Sequence, residues 1–597
     1  MNELAKFLSG FFFALMVFNV CVLLSNWLPI TFMGFVFEYS LWTVFLIVFL
    51  FLAMFFAFIG WGNMQGKKVS SSLFIIFLLC CLGAVIYLFE GNHVENKAAI
   101  LETKEEFKVL EIKPEDSSLS ERQTFTMSFG NGKNDFGTAL TIDNDGSIIV
   151  AGCFQGTIDL DPGIGVMERT SLGGSINDNA VDIYIGKYTQ SGRLVWGFSL
   201  GSVGADAINS LNSDKEGNIY ITGYFGGQMD VDPTSEEKII NSGTGRDGFL
   251  IKYNKDGKLM WAKSFGNTET IPFSDKDSRF EEGIGIAVDN NNLYLLGVFN
   301  EIIDLDDSDP NKFADTFEAD DRDIFVAKYD LQGNFIKAIS FSGKGITQGQ
   351  DIEVDEEGNI YVSGFFDGKI KVGETNLTSA GFSDCFLFKL NKDLSPVFAK
   401  RWGSSQSDKI NIGGMDVDKE NNVYISGDFN GTIYLGDYKV VSKGNTDIFV
   451  AKFKEDGTPV FIKSIGGAYA DSVSSLKIDN DNNILFTGYF KDSVDFDSGK
   501  GVYFLQSNSY EEASDVFLAK YSLDGEFIWA RNFGGYVSLS DEIQSGYGLT
   551  VDLENNPVIT GKFFDAIDFH STQDLNLKSM GKSDAFIVKY NKEGEIE

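Results

Sequence analysis

The chain is 597 residues long and carries 49 Lys+Arg against 85 Asp+Glu, a net charge of -36 at neutral pH. Phosphate contacts need a basic surface, so this balance excludes a nucleic-acid binder. Two histidines, His93 and His570, leave little scope for His-based metal sites or His general-base chemistry. Of the five cysteines, Cys21, Cys80 and Cys81 lie in apolar runs, and Cys153 and Cys385 sit in different repeats, so lone thiols are expected rather than a disulfide.

The first 90 residues contain three apolar runs without a charged side chain, at about 7–28, 41–60 and 72–89. Each has the length needed to cross a bilayer as a helix, and Trp27, Trp42 and Trp61 stand near their ends. Lys6, Lys67 and Lys68 place the N-terminus and the second loop in the cytoplasm by the positive-inside rule. The expectation is a multi-pass anchor in the cytoplasmic (inner) membrane, in contact with the lipid bilayer, with the rest of the chain periplasmic or extracellular. Residues 91–123 are polar and charged, without strand alternation, and read as a linker.

From residue 124 to 597 the chain repeats. An apolar stretch ends in Asp, as at Asp143, Asp289, Asp479 and Asp552. A turn rich in Asp, Asn and Gly follows, then an alternating run such as Asn218-Ile219-Tyr220-Ile221-Thr222-Gly223-Tyr224-Phe225. Period-two alternation with β-branched and aromatic residues predicts a strand, and the turn makes a hairpin. A third strand runs from Asp to an aromatic or apolar residue, with Lys just before its end: 182–188, 247–253, 323–329, 384–390, 447–453, 515–521 and 584–590. A fourth strand, such as Leu259-Met260-Trp261-Ala262-Lys263-Ser264-Phe265-Gly266, closes the unit. Four antiparallel strands in each of seven units predict an all-β, seven-bladed β-propeller preceded by three transmembrane α-helices. The seventh unit ends before its fourth strand. Thr124–Gly130 has the fourth-strand pattern, so it is expected to complete the last blade and close the ring.

The repeat resembles the SBBP, or seven-bladed beta-propeller, repeat over about residues 124–597. The resemblance lies in the DGNIY-type hairpin turn, the T/S-G-x-F end of the second strand, the D-x-F-x-x-K-Y strand and the W-A-K-x-F-G strand. It implies an extracytoplasmic propeller with no agreed activity, and supplies no catalytic residues.

Four features are candidate sites. The Asp-x-Asp pairs Asp159/Asp161, Asp230/Asp232, Asp304/Asp306 and Asp495/Asp497 place two carboxylates on one strand face, a geometry able to offer oxygens to calcium. Turn-forming carboxylates are the alternative. The hairpin turn Asp143-Asn144-Asp145-Gly146-Ser147 lacks the later ligands of a calcium loop. The third-strand lysines Lys187, Lys252, Lys328, Lys389, Lys452, Lys520 and Lys589 form an anion-binding ring or pair with hairpin carboxylates. The fourth-strand aromatics Trp196, Trp261, Phe398, Phe461 and Trp529 read as core between blades, with Lys337 breaking the series and Phe125 in register with it. No catalytic constellation is visible. The expected function is a membrane-anchored scaffold for other membrane or envelope proteins. The alternatives are a carboxylate-dependent hydrolase or lyase acting in the propeller channel, and a calcium-stabilised adhesive or envelope-structural module.

Overall fold

The computed structural model describes residues 124–597, apart from 163–164, 173–180, 243–244, 267–280, 306–315, 404–409, 508–513, 536–542, 570–575 and 597. The alternating runs form strands, and the Asp/Asn/Gly turns close them into antiparallel four-stranded sheets. The first sheet consists of Phe136–Ile142, Ile148–Phe154, Asp182–Tyr188 and Leu194–Leu200, in chain order from inside to outside. Five further sheets of the same order begin at Ala207, Glu282, Thr347, Ile410 and Ser472. The seventh takes Ser545–Val551, Pro557–Asp568 and Asn576–Lys589 from the chain end and Phe125–Phe129 from its beginning. That outer strand pairs antiparallel from Phe125↔Lys589 to Phe129↔Ala585. The innermost strand of each sheet adjoins that of the next, and the first adjoins the last, so the sheets form a closed ring.

The expected fold class is corrected at its membrane end. The helices placed at 7–28, 41–60 and 72–89 lie outside the described residues, as does the 91–123 linker. The described residues are all-β, and no helix among them is long and apolar enough to cross a membrane. The described repeats offer no such segment. Their apolar runs are strand-length, interrupted by turns, and far short of the about 20 residues a spanning helix needs. The inner-membrane, multi-pass localisation rested on those helices and is withdrawn with them.

Both middle strands of a sheet are buried on both faces, as every residue of Ile148–Phe154 and Asp182–Tyr188 shows. The core therefore lies between sheets. Phe198 of the first sheet packs with Leu211, Ile221 and Tyr253 of the second. Each innermost strand carries one β-bulge at the same place, between Gly137/Ala139, Ile208/Ser210, Gly283/Gly285, Gly349/Asp351, Ile412/Gly414, Val473/Ser475 and Gly546/Gly548. A bulge bends and twists its strand, which suits a wall that must curve around an axis.

One contact recurs at six of the seven junctions. The fourth-strand aromatic of one sheet lies over the turn between the third and fourth strands of the next. Trp196 covers Gly257, Trp261 covers Gly333, Phe398 covers Gly457, Phe461 covers Gly525, Trp529 covers Gly594, and Phe125 covers Gly192 across the chain ends. At Gly457 the backbone has φ +74°, and a Cβ would stand 2.9 Å from the Phe398 ring, so geometry and space both demand glycine. The indole N–H groups of Trp196 and Trp261 also donate to Lys255 O and Leu331 O of the covered turns, at 3.2 and 3.3 Å. The exception is instructive. Lys337 replaces the aromatic, and the turn it meets has Leu394 at φ 58° in place of glycine. Lys337 Nζ donates to Asp393 O at 2.8 Å instead.

Two stability tests follow from this ring. Phe129 is buried among Tyr184, Val150 and Ala585, which belong to the first and last sheets. Phe129→Ala is expected to cost about 3–5 kcal/mol in urea denaturation, the loss typical of a core aromatic. Gly457→Ala is expected to cost at least about 1–2 kcal/mol in the same assay, because it adds left-handed strain and crowds Phe398.

Candidate functional site

The first Asp of each pair ends the first strand of a small outer hairpin between the second and third strands, beside its turn. Asp159 Oδ1 accepts from Asp161 N at 3.0 Å and Met167 N at 2.7 Å. Asp230 Oδ1 accepts from Asp232 N at 3.2 Å and Lys238 N at 3.0 Å, and Asp495 Oδ1 from Asp497 N at 3.1 Å and Tyr503 N at 2.8 Å. Asp232 and Asp497 in turn accept from Thr234 N and Gly499 N. The carbonyl between each pair accepts from the third-strand tyrosine, as in Tyr188 Oη to Leu160 O and Tyr253 Oη to Val231 O, both at 2.8 Å. Asp304 ends the long second strand of the third sheet, and Asp306 lies outside the described residues. Among the described residues, no group of three or more His, Cys, Asp or Glu side chains is arranged to hold a metal ion.

The hairpin Asp closes its own turn. Asp214 Oδ1 accepts from Glu216 N and Asn218 N at 2.9 Å, while Oδ2 takes Asn218 Nδ2 at 2.8 Å and Tyr220 Oη at 3.0 Å. Four of the third-strand lysines, Lys187, Lys252, Lys520 and Lys589, reach these carboxylates, whereas Lys389 pairs with Glu455 in the turn of the next sheet at 2.9 Å. Lys187–Asp143, Lys520–Asp479 and Lys589–Asp552 stand at 2.6, 2.7 and 2.9 Å, all buried. Several also donate to the turn of the next sheet, as Lys187 does to Lys255 O at 3.2 Å and Lys328 to Lys392 O at 2.7 Å.

A second group of carboxylates escaped sequence reasoning. Asp135, Asp206 and Asp471 cap the loops leading into an innermost strand. Asp135 accepts from Asn131 N at 2.8 Å and Gln155 N at 3.0 Å, and Asp471 from Gly467 N at 2.8 Å and Lys491 N at 3.0 Å. Burial pushes their carboxyls up, to about 7 for Asp135, about 6 for Asp206 and about 7 for Asp471, against the backbone hydrogen bonds that lower them. Burial likewise lifts Asp247, which opens a third strand, to about 8. Their spacing, four residues after the start of each loop, is the signal that was available.

A third group gathers on the ring axis. Glu353 of the fourth sheet pairs with Lys477 of the sixth at 2.7 Å, reaching past the fifth. Asp351 and Asp416 stand beside them. Asp351 Oδ2 accepts from Met415 N and Asp416 Oδ2 from Ile478 N, both at 2.8 Å, so each also staples its innermost strand to the next. Burial raises the Asp351 and Glu353 carboxyls, opposed by the Lys477 ammonium. Burial opposes the charge on Lys477, but Glu353, Asp416 and Asp351 outweigh it and hold the ammonium well above its usual range. At the level of Glu353, Asp416 and Lys477 the other sheets carry Thr141, Asn212, Ala287 and Thr550, so the charges are confined to one sector.

No family model matches the chain. It is similar to an uncharacterized WD repeat-containing protein of Acanthamoeba polyphaga mimivirus, 22% identical over 551 residues. That match takes in 77% of this chain and 38% of the relative, so the chain spans well under half the relative's length. Among solved structures it is similar to an ulvan lyase, a polysaccharide lyase, with 12% identity, a TM-score of 0.39, and coverage of 78% of this chain and 96% of that one. It is also similar to a protein of unknown function from Bacteroides caccae, with 11% identity, a TM-score of 0.30, and coverage of 58% and 89%. Neither of these two likenesses bears on activity. The ring of seven sheets and the WD repeat relative together support a β-propeller repeat protein.

Two measurements test these assignments. Lys520→Met leaves the buried Asp479 carboxylate without its cation and is expected to cost about 3–5 kcal/mol, read by urea denaturation. The raised carboxyls bind protons more tightly in the folded state than in the unfolded chain. Their contribution is full below about pH 4 and is lost as pH rises through about 6 to 8. The melting temperature is therefore expected to fall steadily between pH 5 and pH 8, and a flat or rising profile would contradict the burial of these groups.

Proposed function

We infer that the ring is a rigid scaffold that binds a protein partner, with repeats of the SBBP type and residues 124–597 as the functional unit. The observation that carries this reading is an exposed apolar surface on the outer hairpins of the fifth and sixth sheets. Tyr434, Tyr438 and Val441 on one, and Val502, Tyr503 and Phe504 on the other, are all exposed, Phe504 by 63%. Several large apolar side chains exposed on each hairpin of a well-packed protein suit a partner. The outer hairpins also differ most from sheet to sheet, whereas the strands that carry them agree. The longest connections between second and third strands, 162–180 and 304–320, fall on the first and third sheets instead, and 163–164, 173–180 and 306–315 lie outside the described residues.

Chemical cross-linking in the native cell, followed by mass spectrometry of what co-purifies, tests the reading. Cross-links from Lys439 and Lys500, next to these side chains, to one recurring protein are expected, and Tyr434→Asp with Phe504→Asp should remove them. Recovery of the protein alone would contradict the scaffold.

A second reading, a carboxylate-dependent hydrolase or lyase, has one specific observation in its favour. Asp351, Glu353 and Asp416 converge on the axis beside Lys477, with two of the carboxyls raised. Asp351 and Asp416 are already engaged by backbone N–H groups, which favours the scaffold reading.

A further inference from the structure

The outer hairpin of the fifth sheet pairs Thr432–Leu435 with Tyr438–Val441 across the turn Gly436-Asp437. In an antiparallel ladder, hydrogen-bonded pairs alternate with non-hydrogen-bonded ones. Ser442 N donates to Gly431 O at 2.8 Å, so the next pair, Thr432↔Val441, is non-hydrogen-bonded, and so is Tyr434↔Lys439. The backbone N–H and C=O groups of these four residues point away from the hairpin. On one side Tyr434 N reaches Gly403 O of the preceding sheet at 3.5 Å. On the other side Lys439 and Val441 face outward, and among the described residues Tyr438–Val441 pairs with no strand but Thr432–Leu435.

The composition of this edge favours pairing. An open strand edge invites another chain, and folded proteins blunt such edges with charged or polar side chains. The equivalent strand of the fourth sheet has the same length and reads Thr375-Asn376-Leu377-Thr378, polar at every residue but Leu377. The first sheet has Glu168-Arg169-Thr170 there. The fifth has Tyr438-Lys439-Val440-Val441, with Tyr438 and Val441 exposed. Aromatic and β-branched side chains suit a strand best, and an extended segment can add to such an edge. The flanking charges select the segment. Asp437 stands before the strand and Lys443 after it, both exposed. A second copy laid antiparallel can pair Lys439 and Val441 with themselves or with each other. Lys439 opposite Lys439 sets like charges face to face, and Val441 opposite Val441 sets Lys439 opposite Lys443. Lys439 opposite Val441 avoids both clashes. It also brings Asp437 of each copy opposite Lys443 of the other, with Val440 meeting Val440 at the centre.

We propose that the edge strand Tyr438–Val441 pairs antiparallel with the same strand of a second copy of this chain, joining two rings into a two-fold dimer. Lys439 and Val441 of one copy exchange backbone hydrogen bonds with Val441 and Lys439 of the other, and the Asp437–Lys443 pairs close both ends of the contact. A two-fold contact is self-complementary, so this one surface suffices and assembly stops at two copies. The proposal deepens the outer-hairpin reading: it rests on the fifth-sheet hairpin being a contact surface and names the partner there as a second copy. The exposed side chains of the sixth hairpin remain available to another protein.

The test is sedimentation velocity of the full chain at micromolar concentration, where the wild type is expected to sediment as a dimer. Asp437→Lys places two lysines at each end of the contact, and Lys443→Asp two carboxylates. Each is expected to weaken dimerisation by about tenfold or more, because like charges directly opposite on paired strands repel, with unchanged melting temperatures. Mixed in equal amounts, the two variants regain opposite charges at both ends, and dimers are expected to return. The proposal is overturned if the wild type sediments as a monomer, if either single variant dimerises like the wild type, or if the mixture stays monomeric. A monomeric wild type leaves the outer-hairpin reading standing, since cross-linking to a different protein decides that reading. Cross-linking that recovers no other protein ends that reading without touching the dimer.

Discussion

An aromatic ring laid over a left-handed glycine in the next sheet is the contact on which the architecture depends. It supplies apolar burial at the outer edge of each junction, where the core clusters thin out. It also sets the angle between sheets, because the ring can approach the turn only when no Cβ stands in the way. The third-strand lysine works at the same place. In four sheets it neutralises the hairpin Asp of its own sheet, and Lys187 and Lys252 also reach the turn of the next, so charge and apolar contact tie the same two elements together. The junction between the third and fourth sheets shows that the two partners are linked. With Lys337 in place of the ring, the glycine is no longer needed, and Leu394 accepts a positive φ.

Because six of the seven junctions use the same parts, the closing junction is made like its neighbours. Phe125 over Gly192 does this with residues from opposite ends of the chain. Closure leaves no sheet with an unfilled outer position, and it ties the N-terminal strand into the core through Phe129. A frame held this way can vary elsewhere. The variation falls in two places: the outer hairpins and the axis around Glu353 and Lys477. Each carries side chains that the repeat does not demand, and these are the positions where recognition or chemistry can be placed without loosening the frame.

Much of the frame was legible in the sequence. The Asp-Gly-Asn turns, the Lys before the end of the third strand and the fourth-strand aromatics recur at fixed places, and the strand at Phe125 carries the same signature. Lys187, Lys252, Lys520 and Lys589 do meet the hairpin carboxylates, because both are fixed by the same pairing of second and third strands. Other features left no local mark. A β-bulge adds one residue to a strand without changing its composition, so all seven were missed. Asp351, Asp416 and Lys477 look like ordinary polar residues until the ring brings three sheets to one axis. The membrane-spanning helices were inferred from apolar runs outside the described residues. The strand-length repeats that the structure does describe contain nothing of that kind.

The central claim is that the recurring junctions make the seven sheets one cooperative ring, the closing one included. Native-state hydrogen exchange tests it most directly. Amides of Phe125–Phe129 and of the strand they pair with should exchange with the same free energy as the middle strands of the third, fourth and fifth sheets, as members of one unit. If the seventh sheet opened well before the rest, or if sheets exchanged one by one around the ring, the junctions would be independent contacts and the account would be wrong.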